Sequence, residues 1–337
     1  MCILRRESDA VDGHPRDPGS LLGPWEKPKP FKYCRRSYHN WFQGCGRTET
    51  SDMGLSRRAL LGTIGGATIA GVTGVTLYGE VGRETEDRTT ALVAGSLLEV
   101  ANEVPGATVE AHGSAAVRRL IRDGHRDPDA VALADPALFE GISSDATLFA
   151  TNSLVLAYNP ESDGADDIRR DWRAAVQDPD VAVGRTDPDL DPLGYRTVMA
   201  LELAANRTDL NADRVLSNAT VVPETDLLNV LEGGELDAAF TYRNMAVQRD
   251  LPAASLPTWM NFSDPGVADQ YGQVTYDLGD KTVRGAPIRY GATALTEAGQ
   301  SWIDRLVTGT ERLEAMGFSV PSSYPDRDRS VEGFGGE

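Results

Sequence analysis

From residue 89 onward the sequence predicts an α/β fold with mostly parallel sheets, and three observations carry the prediction. Short β-branched or alanine-rich runs recur, amphipathic helical stretches follow most of them, and glycine with serine or proline marks the corners between. A repeated strand, loop and helix is the pattern of a parallel sheet covered by helices. Ligands in such sheets bind beyond the carboxyl ends of the strands, where the helices begin.

Taken in order, residues 91–94 read as a strand and residues 97–104 as the helix after it. Residues 108–110 form a second strand, and Ser114 opens a helix with Val117, Leu120 and Ile121 on one face. Residues 130–133 and 153–158 are further strands, and 181–183 leads through a loop to a helix over 193–205. Leu227, Leu228 and Leu231 mark a helix stopped by Gly233 and Gly234, with a strand over 238–240 behind it. Trp302, Leu306 and Leu313 stripe a late helix. The acidic run 163–167 reads as a solvated loop, and the tail from Pro325 as frayed.

Two corners share one signature, Gly95-Ser96 after the first strand and Gly113-Ser114 after the second. In each, glycine permits close backbone approach and serine is expected at the N-cap. With free N–H groups and the helix dipole added, such a corner suits an anion. A lone Gly-Ser corner usually only caps a helix, but two of them about 18 residues apart on adjacent strands point to a shared ligand. A third corner runs Asp191-Pro192-Leu193-Gly194-Tyr195-Arg196, where Asp191 suits a cap and Pro192 the first turn.

Charge narrows the function classes. Asp and Glu number 51 against 33 Lys and Arg, a net charge of −18, so a phosphate backbone is a poor partner. Beyond Met53, Lys281 is the single lysine, and an acidic, lysine-poor surface suits high salt. Cys2, Cys34 and Cys45 all precede Met53, which leaves the rest without thiol or disulfide chemistry, and the Cys34–Cys45 spacing around His39 matches no zinc template. No nucleophile elbow, phosphate loop or dinucleotide fingerprint occurs, so no enzyme is expected. His125 reads as a surface turn residue and His112 as a strand-end residue beside the second corner.

The N-terminal part reads as an export region. Residues 1–52 are expected to be a mis-started or disordered leader, with translation beginning at Met53. Arg57 and Arg58 precede an uncharged, mildly apolar run up to Gly79, the pattern of a twin-arginine signal over 53–79. That run is just long enough to stay as a membrane anchor, with residues 80–88 as tether. The expected location is the extracellular face of the cell membrane.

The stretches 94–97, 113–117, 132–135, 150–158, 191–196, 240–248 and 286–291 resemble, in order and spacing, archaeal molybdate/tungstate-binding proteins of ABC importers. The resemblance implies a two-lobed, type II periplasmic-binding-protein-like fold with two mostly parallel sheets and a cleft between lobes. Residues 89–157 with 256–322 would form lobe 1, residues 158–255 lobe 2, and 323–337 a flexible tail. Hinges are expected near 152–158 and 255–262. The implied ligand is a tetrahedral oxyanion, molybdate or tungstate, bound by Ser96 and Ser114 with Asp191, Tyr195 and Tyr242 approaching from the other lobe. Gly95, Gly113, Asn152 and Thr241 are secondary candidates. Archaeal members often carry a glutamate between the Phe and Tyr of the 240–242 stretch that, with the aspartate, ligates the metal centre. Thr241 stands there in this sequence, which favours neutral donors and fixed dipoles over a salt bridge. The implied partners are an ABC permease and its ATPase, with the chain a monomer, no cofactor and no free metal ion. The competing readings are sulfate, phosphate or another small anion on the same fold, or a membrane-tethered anion sensor without transport.

Overall fold

The computed structural model describes residues 89–327, so the expected leader, twin-arginine segment, tether and residues 328–337 lie outside the described residues. The strands are β1 (Thr89–Ala94), β2 (Ala107–His112), β3 (Ala130–Leu133), β4 (Thr147–Thr151), β5 (Leu154–Tyr158) and β6 (Val183–Arg185). They continue with β7 (Thr220–Val221), β8 (Ala238–Tyr242), β9 (Ala253–Ser255), β10 (Thr275–Asp277), β11 (Thr282–Arg284) and β12 (Arg289–Ala294). The helices are α1 (Leu98–Asn102), α2 (Ser114–Arg122), α3 (Ala165–Ala175), α4 (Pro192–Ala205) and α5 (Ala212–Asn218). After them come α6 (Leu227–Glu232), α7 (Arg243–Gln248), α8 (Ala268–Tyr271), α9 (Glu297–Val307) and α10 (Thr310–Ala315).

Two five-stranded mixed sheets result, in the orders β2-β1-β3-β12-β4 and β7-β6-β8-β5-β9. Each has the same plan. Three parallel strands stand side by side, and the fourth position is an antiparallel strand lent from another part of the chain, β12 in one sheet and β5 in the other. The central strands β3, β5 and β8 are buried along their whole length, which is why they read as unbroken apolar runs and not as alternating ones. One buried apolar cluster runs through both sheets, from Val93 and Phe149 to Tyr195 and Leu228.

Several expectations need correction. Residues 154–157 hydrogen-bond in the second sheet, so the first crossing lies at Asn152 and Ser153 and not at 157–158. Beside it runs the return crossing, where Leu154 N–H donates to Asn261 O at 2.9 Å. There Phe262 holds a left-handed φ of 58°, a conformation costly for a bulky residue, and its side chain is fully buried. The acidic run 163–167 is not a loop throughout: Asp166 and Asp167 sit in the first turn of α3, where they suit the dipole and pair with Arg169 and Arg170 one turn on. The late apolar stripe divides between α9 and α10. The tail is not frayed at its start. Asp326 exchanges backbone hydrogen bonds with Leu148, and Ser319 with Thr151, which covers the outer edge of β4. Among the described residues no helix is long and apolar enough to cross a membrane.

Candidate functional site

The shared plan of the two sheets brings six strand ends to one seam. From the first sheet come Gly95-Ser96 after β1, Gly113-Ser114 after β2 and Ala134-Asp135 after β3. From the second come Asp191 in the loop after β6, Glu224 in the loop after β7, and Tyr242 at the end of β8. The seam is tight. A Cβ added at Gly113 would lie 2.4 Å from Leu190 O and 2.6 Å from Asp191 Cβ, and one added at Gly95 would lie 2.5 Å from Glu224 Oε2. At Gly113 a side chain would meet backbone, and at Gly95 the flexible end of Glu224.

Ser96 and Ser114 are buried at 2% and 0% exposure, but neither is an N-cap. Gly113 caps α2 and Ser114 is its first residue, while Ser96 lies inside a three-residue 3-10 turn (Gly95–Leu97) capped by Ala94. The hydroxyls are therefore free of capping and bond elsewhere. Ser114 Oγ accepts from Ala134 N–H at 3.0 Å. Ser96 Oγ accepts from the Tyr290 hydroxyl at 3.2 Å, which in turn accepts from Asn152 Nδ2 at 3.0 Å. The helix after the first corner, α1, has only 5 residues, so its dipole contributes little.

Two carboxylates sit against these corners. Asp191 caps α4 as expected, and its Oδ1 accepts from Gly194 N–H and from the Thr186 hydroxyl, both at 2.8 Å. Glu224, 4% exposed, was not a sequence candidate. Its two oxygens find no partner in full hydrogen-bond geometry, although the Ser96 hydroxyl and the Gly95 and Ser96 amides lie close enough to favour its charge. Burial dominates both groups. It pushes Asp191 up to about 7 against the two bonds it accepts. It raises Glu224 well above the usual carboxylate range, and the neighbouring Asp191 charge adds to that. A second buried carboxylate, which Thr241 does not provide, thus stands at the seam in the loop after β7.

An arginine occupies the seam, contrary to the expectation of fixed dipoles alone. Arg196 on α4 donates Nη1 to Ala134 O at 2.9 Å and to Tyr242 OH at 3.1 Å, and Nη2 to Asp135 Oδ2 at 2.9 Å. Its charge is matched by Asp135 at once, so it offers no free cation to a ligand. Tyr195 OH donates to the same Asp135 Oδ2 at 2.6 Å. Its proton is committed there, so the Tyr195 hydroxyl supports the Asp135 carboxylate. Tyr242 accepts from Arg196 and keeps its own proton, and burial holds the phenol protonated.

Thr241 is not brought to the cluster. Side chains alternate along β8, and its hydroxyl donates to Met245 Sδ at 3.4 Å inside the second lobe. Asn152 reaches the site indirectly, through Tyr290 and through Asn244, whose Nδ2 donates to Ser96 O at 2.8 Å. His112 ends β2 and pairs with Glu110 at 2.7 Å, while His125 lies in an exposed turn. Besides Glu224, sequence reasoning missed Arg196, Asn244 and Tyr290. Glu224 carried no local signal, because the strand before it, β7, has two residues and both are exposed.

Comparison with known proteins gives the family of the chain. The family model for bacterial extracellular solute-binding proteins matches residues 105–319. A Haloferax volcanii protein, provisionally named as an ABC transporter molybdenum-binding protein, is 48% identical over 288 residues, covering 80% of this chain and 93% of its own length. The molybdate/tungstate-binding protein WtpA of Thermococcus kodakarensis is 36% identical over 224 residues, covering 56% of this chain and 63% of its own. The periplasmic molybdate-binding protein of Azotobacter vinelandii aligns with a TM-score of 0.49 at 13% identity, covering 69% of this chain and 100% of that one. With a buried polar seam between two sheets of one plan, and a family match over most of its length, the chain belongs to the bacterial extracellular solute-binding proteins.

Proposed function

We propose that this chain captures molybdate or tungstate outside the cell and delivers it to an ABC permease driven by its ATPase. One observation carries the choice of ligand: two buried carboxylates, Asp191 and Glu224, meet the Gly95-Ser96 and Gly113-Ser114 corners, and Glu224 has no aligned partner of its own. Once these carboxyls ionise, closing a sulfate or phosphate onto them would bury like charges together, which is costly in a low dielectric. A molybdenum or tungsten centre differs, because it can widen its coordination and take carboxylate oxygens as further ligands. The carboxylates then bind the metal centre, while Ser96, Ser114 and Tyr242 donate to its oxygens. Gly95 and Gly113 let the lobes close around it.

The similar proteins support this reading, since the Haloferax and Thermococcus relatives carry molybdenum or molybdate/tungstate in their names. The Arg57-Arg58 signal, anchoring by residues 59–78, a monomeric state and a high-salt habitat remain part of the same proposal and rest on sequence alone. Hinges at the paired crossings beside Leu154 and Asn261 would let the lobes part.

The test is calorimetry on the full chain at high salt with molybdate, tungstate, sulfate and phosphate. Molybdate and tungstate should bind at least about tenfold more tightly than the other two, about 1.4 kcal/mol. Equal affinity for sulfate, or no heat with any of the four, would sink the proposal.

A further inference from the structure

We infer that Arg196 is a positioning residue that latches the two lobes through Asp135 and, by the same contacts, turns the Ser114 and Tyr242 hydroxyl protons toward the ligand. This rests on the oxyanion reading and adds to it how closure and donor geometry are joined.

A guanidinium only donates, so each group that Arg196 touches must accept. Tyr242 OH therefore spends a lone pair on Arg196 and keeps its proton for another acceptor. Ala134 is held from both sides. Its carbonyl accepts from Arg196, and its N–H donates to Ser114 Oγ, which again leaves the serine proton unspent. Among the described residues no acceptor takes either proton. One side chain of α4 thus fixes one donor in its own lobe and steadies another in the facing lobe.

The receiving side is built in advance. Asp135 caps the short turn Pro136–Phe139 by accepting from Ala137 N–H at 3.0 Å, so its carboxylate is held before Arg196 arrives. Tyr195, one residue before Arg196, adds its hydroxyl to the same oxygen. Arg196 and Asp135 are 2% and 7% exposed, so the pair is desolvated only when the lobes meet, and breaking it would leave a buried charge uncompensated. Such a contact forms after encounter. It should govern how slowly the ligand leaves and not how fast it arrives.

The experiment measures release of radiolabelled molybdate from the full chain into excess unlabelled molybdate, together with association rates and ligand-free melting. In Asp135→Asn and in Arg196→Lys release should quicken about tenfold or more, with association within about threefold of wild type. The double variant should release no faster than the faster single one, because both remove one interaction. Tyr195→Phe should show a smaller rise. If Arg196→Lys fails to fold, Asp135→Asn and Tyr195→Phe carry the test. Release at the wild-type rate in Asp135→Asn would overturn the latch. So would on-rates and off-rates that change only in step with a lower ligand-free melting temperature, the mark of a structural role.

A second arm needs no ligand and separates the latch from the oxyanion reading. Spin labels are placed by Ser144→Cys and Ser217→Cys, one exposed site on each lobe, with Cys2, Cys34 and Cys45 changed to serine. Asp135→Asn should lengthen or broaden the distance between the labels relative to the unsubstituted protein. An unchanged distance would overturn the latch even if molybdate binds, and absence of molybdate binding in wild type would sink the oxyanion reading whatever the distance shows.

Discussion

Glu224 presses the end of its side chain against Gly95, so closely that a methyl group there would sit 2.5 Å from Oε2 and 2.9 Å from the carboxyl carbon. What blocks a side chain at Gly95 is a flexible terminus and not backbone. Gly95→Ala should therefore leave stability within about 1 kcal/mol of wild type, helped by the reduced freedom of the unfolded chain. It should nonetheless displace the carboxylate and weaken molybdate binding strongly. Paired melting and calorimetry check this: a large fall in melting temperature, or retained affinity, would contradict it.

Gly113 makes the opposite prediction although its motif is the same. Its obstruction is Leu190 O at 2.4 Å, a backbone atom that cannot rotate away. Gly113→Ala should push the Asp191 corner off the first lobe and break the bond from Ala116 N–H to Leu190 O at 3.0 Å. Both ligand-free melting and oxyanion binding should suffer. Hydrogen exchange at Ala116 would report the lost bond, and an unchanged exchange rate would count against it.

The two glycines also show where the sequence was readable. Gly95-Ser96, Gly113-Ser114 and Asp191-Pro192 announce themselves because a corner needs local chemistry, and local chemistry is written in adjacent residues. The long strands were legible for a similar reason: a strand buried on both faces must be apolar throughout. Glu224 was not legible. The strand that delivers it, β7, has two residues, both exposed, and so carries no hydrophobic pattern. Arg196 lay in a quoted motif, yet its partner Asp135 is 61 residues away, and no local signal joins them. The stripe of Trp302, Leu306 and Leu313 kept its phase across Gly309, which hid a break between two helices.

The proton affinity of Asp191 predicts a pH dependence for the ligand-free protein. Burial raises the group from its ordinary 3.8 to about 7, so the folded state holds a proton that the unfolded state has released. Its contribution is full below the unfolded value and is lost as pH rises toward about 7. Other carboxylates, such as Asp280 held down to about 2 by bonds from Arg118 and Arg122, act in the opposite direction at lower pH. The comparison must therefore be with Asp191→Asn, which keeps a good N-cap for α4. Wild type should lose stability relative to the variant between about pH 4 and pH 7. Melting at fixed salt across that window would show it, and a constant difference would refute it.

Glu224→Gln tests the ligand choice most directly. The amide keeps the shape of the side chain and removes its charge, and it loses the oxygen best able to join a metal centre. Molybdate and tungstate affinity should fall by about tenfold or more, about 1.4 kcal/mol. Sulfate should move the other way or stay level, because the charge that repelled it is gone. The ligand-free protein should melt higher above neutral pH, since a buried carboxylate with no aligned partner no longer has to ionise. A competition series read by melting shift separates the outcomes. If all four oxyanions weakened together, Glu224 would be holding the lobes in shape and not choosing among anions.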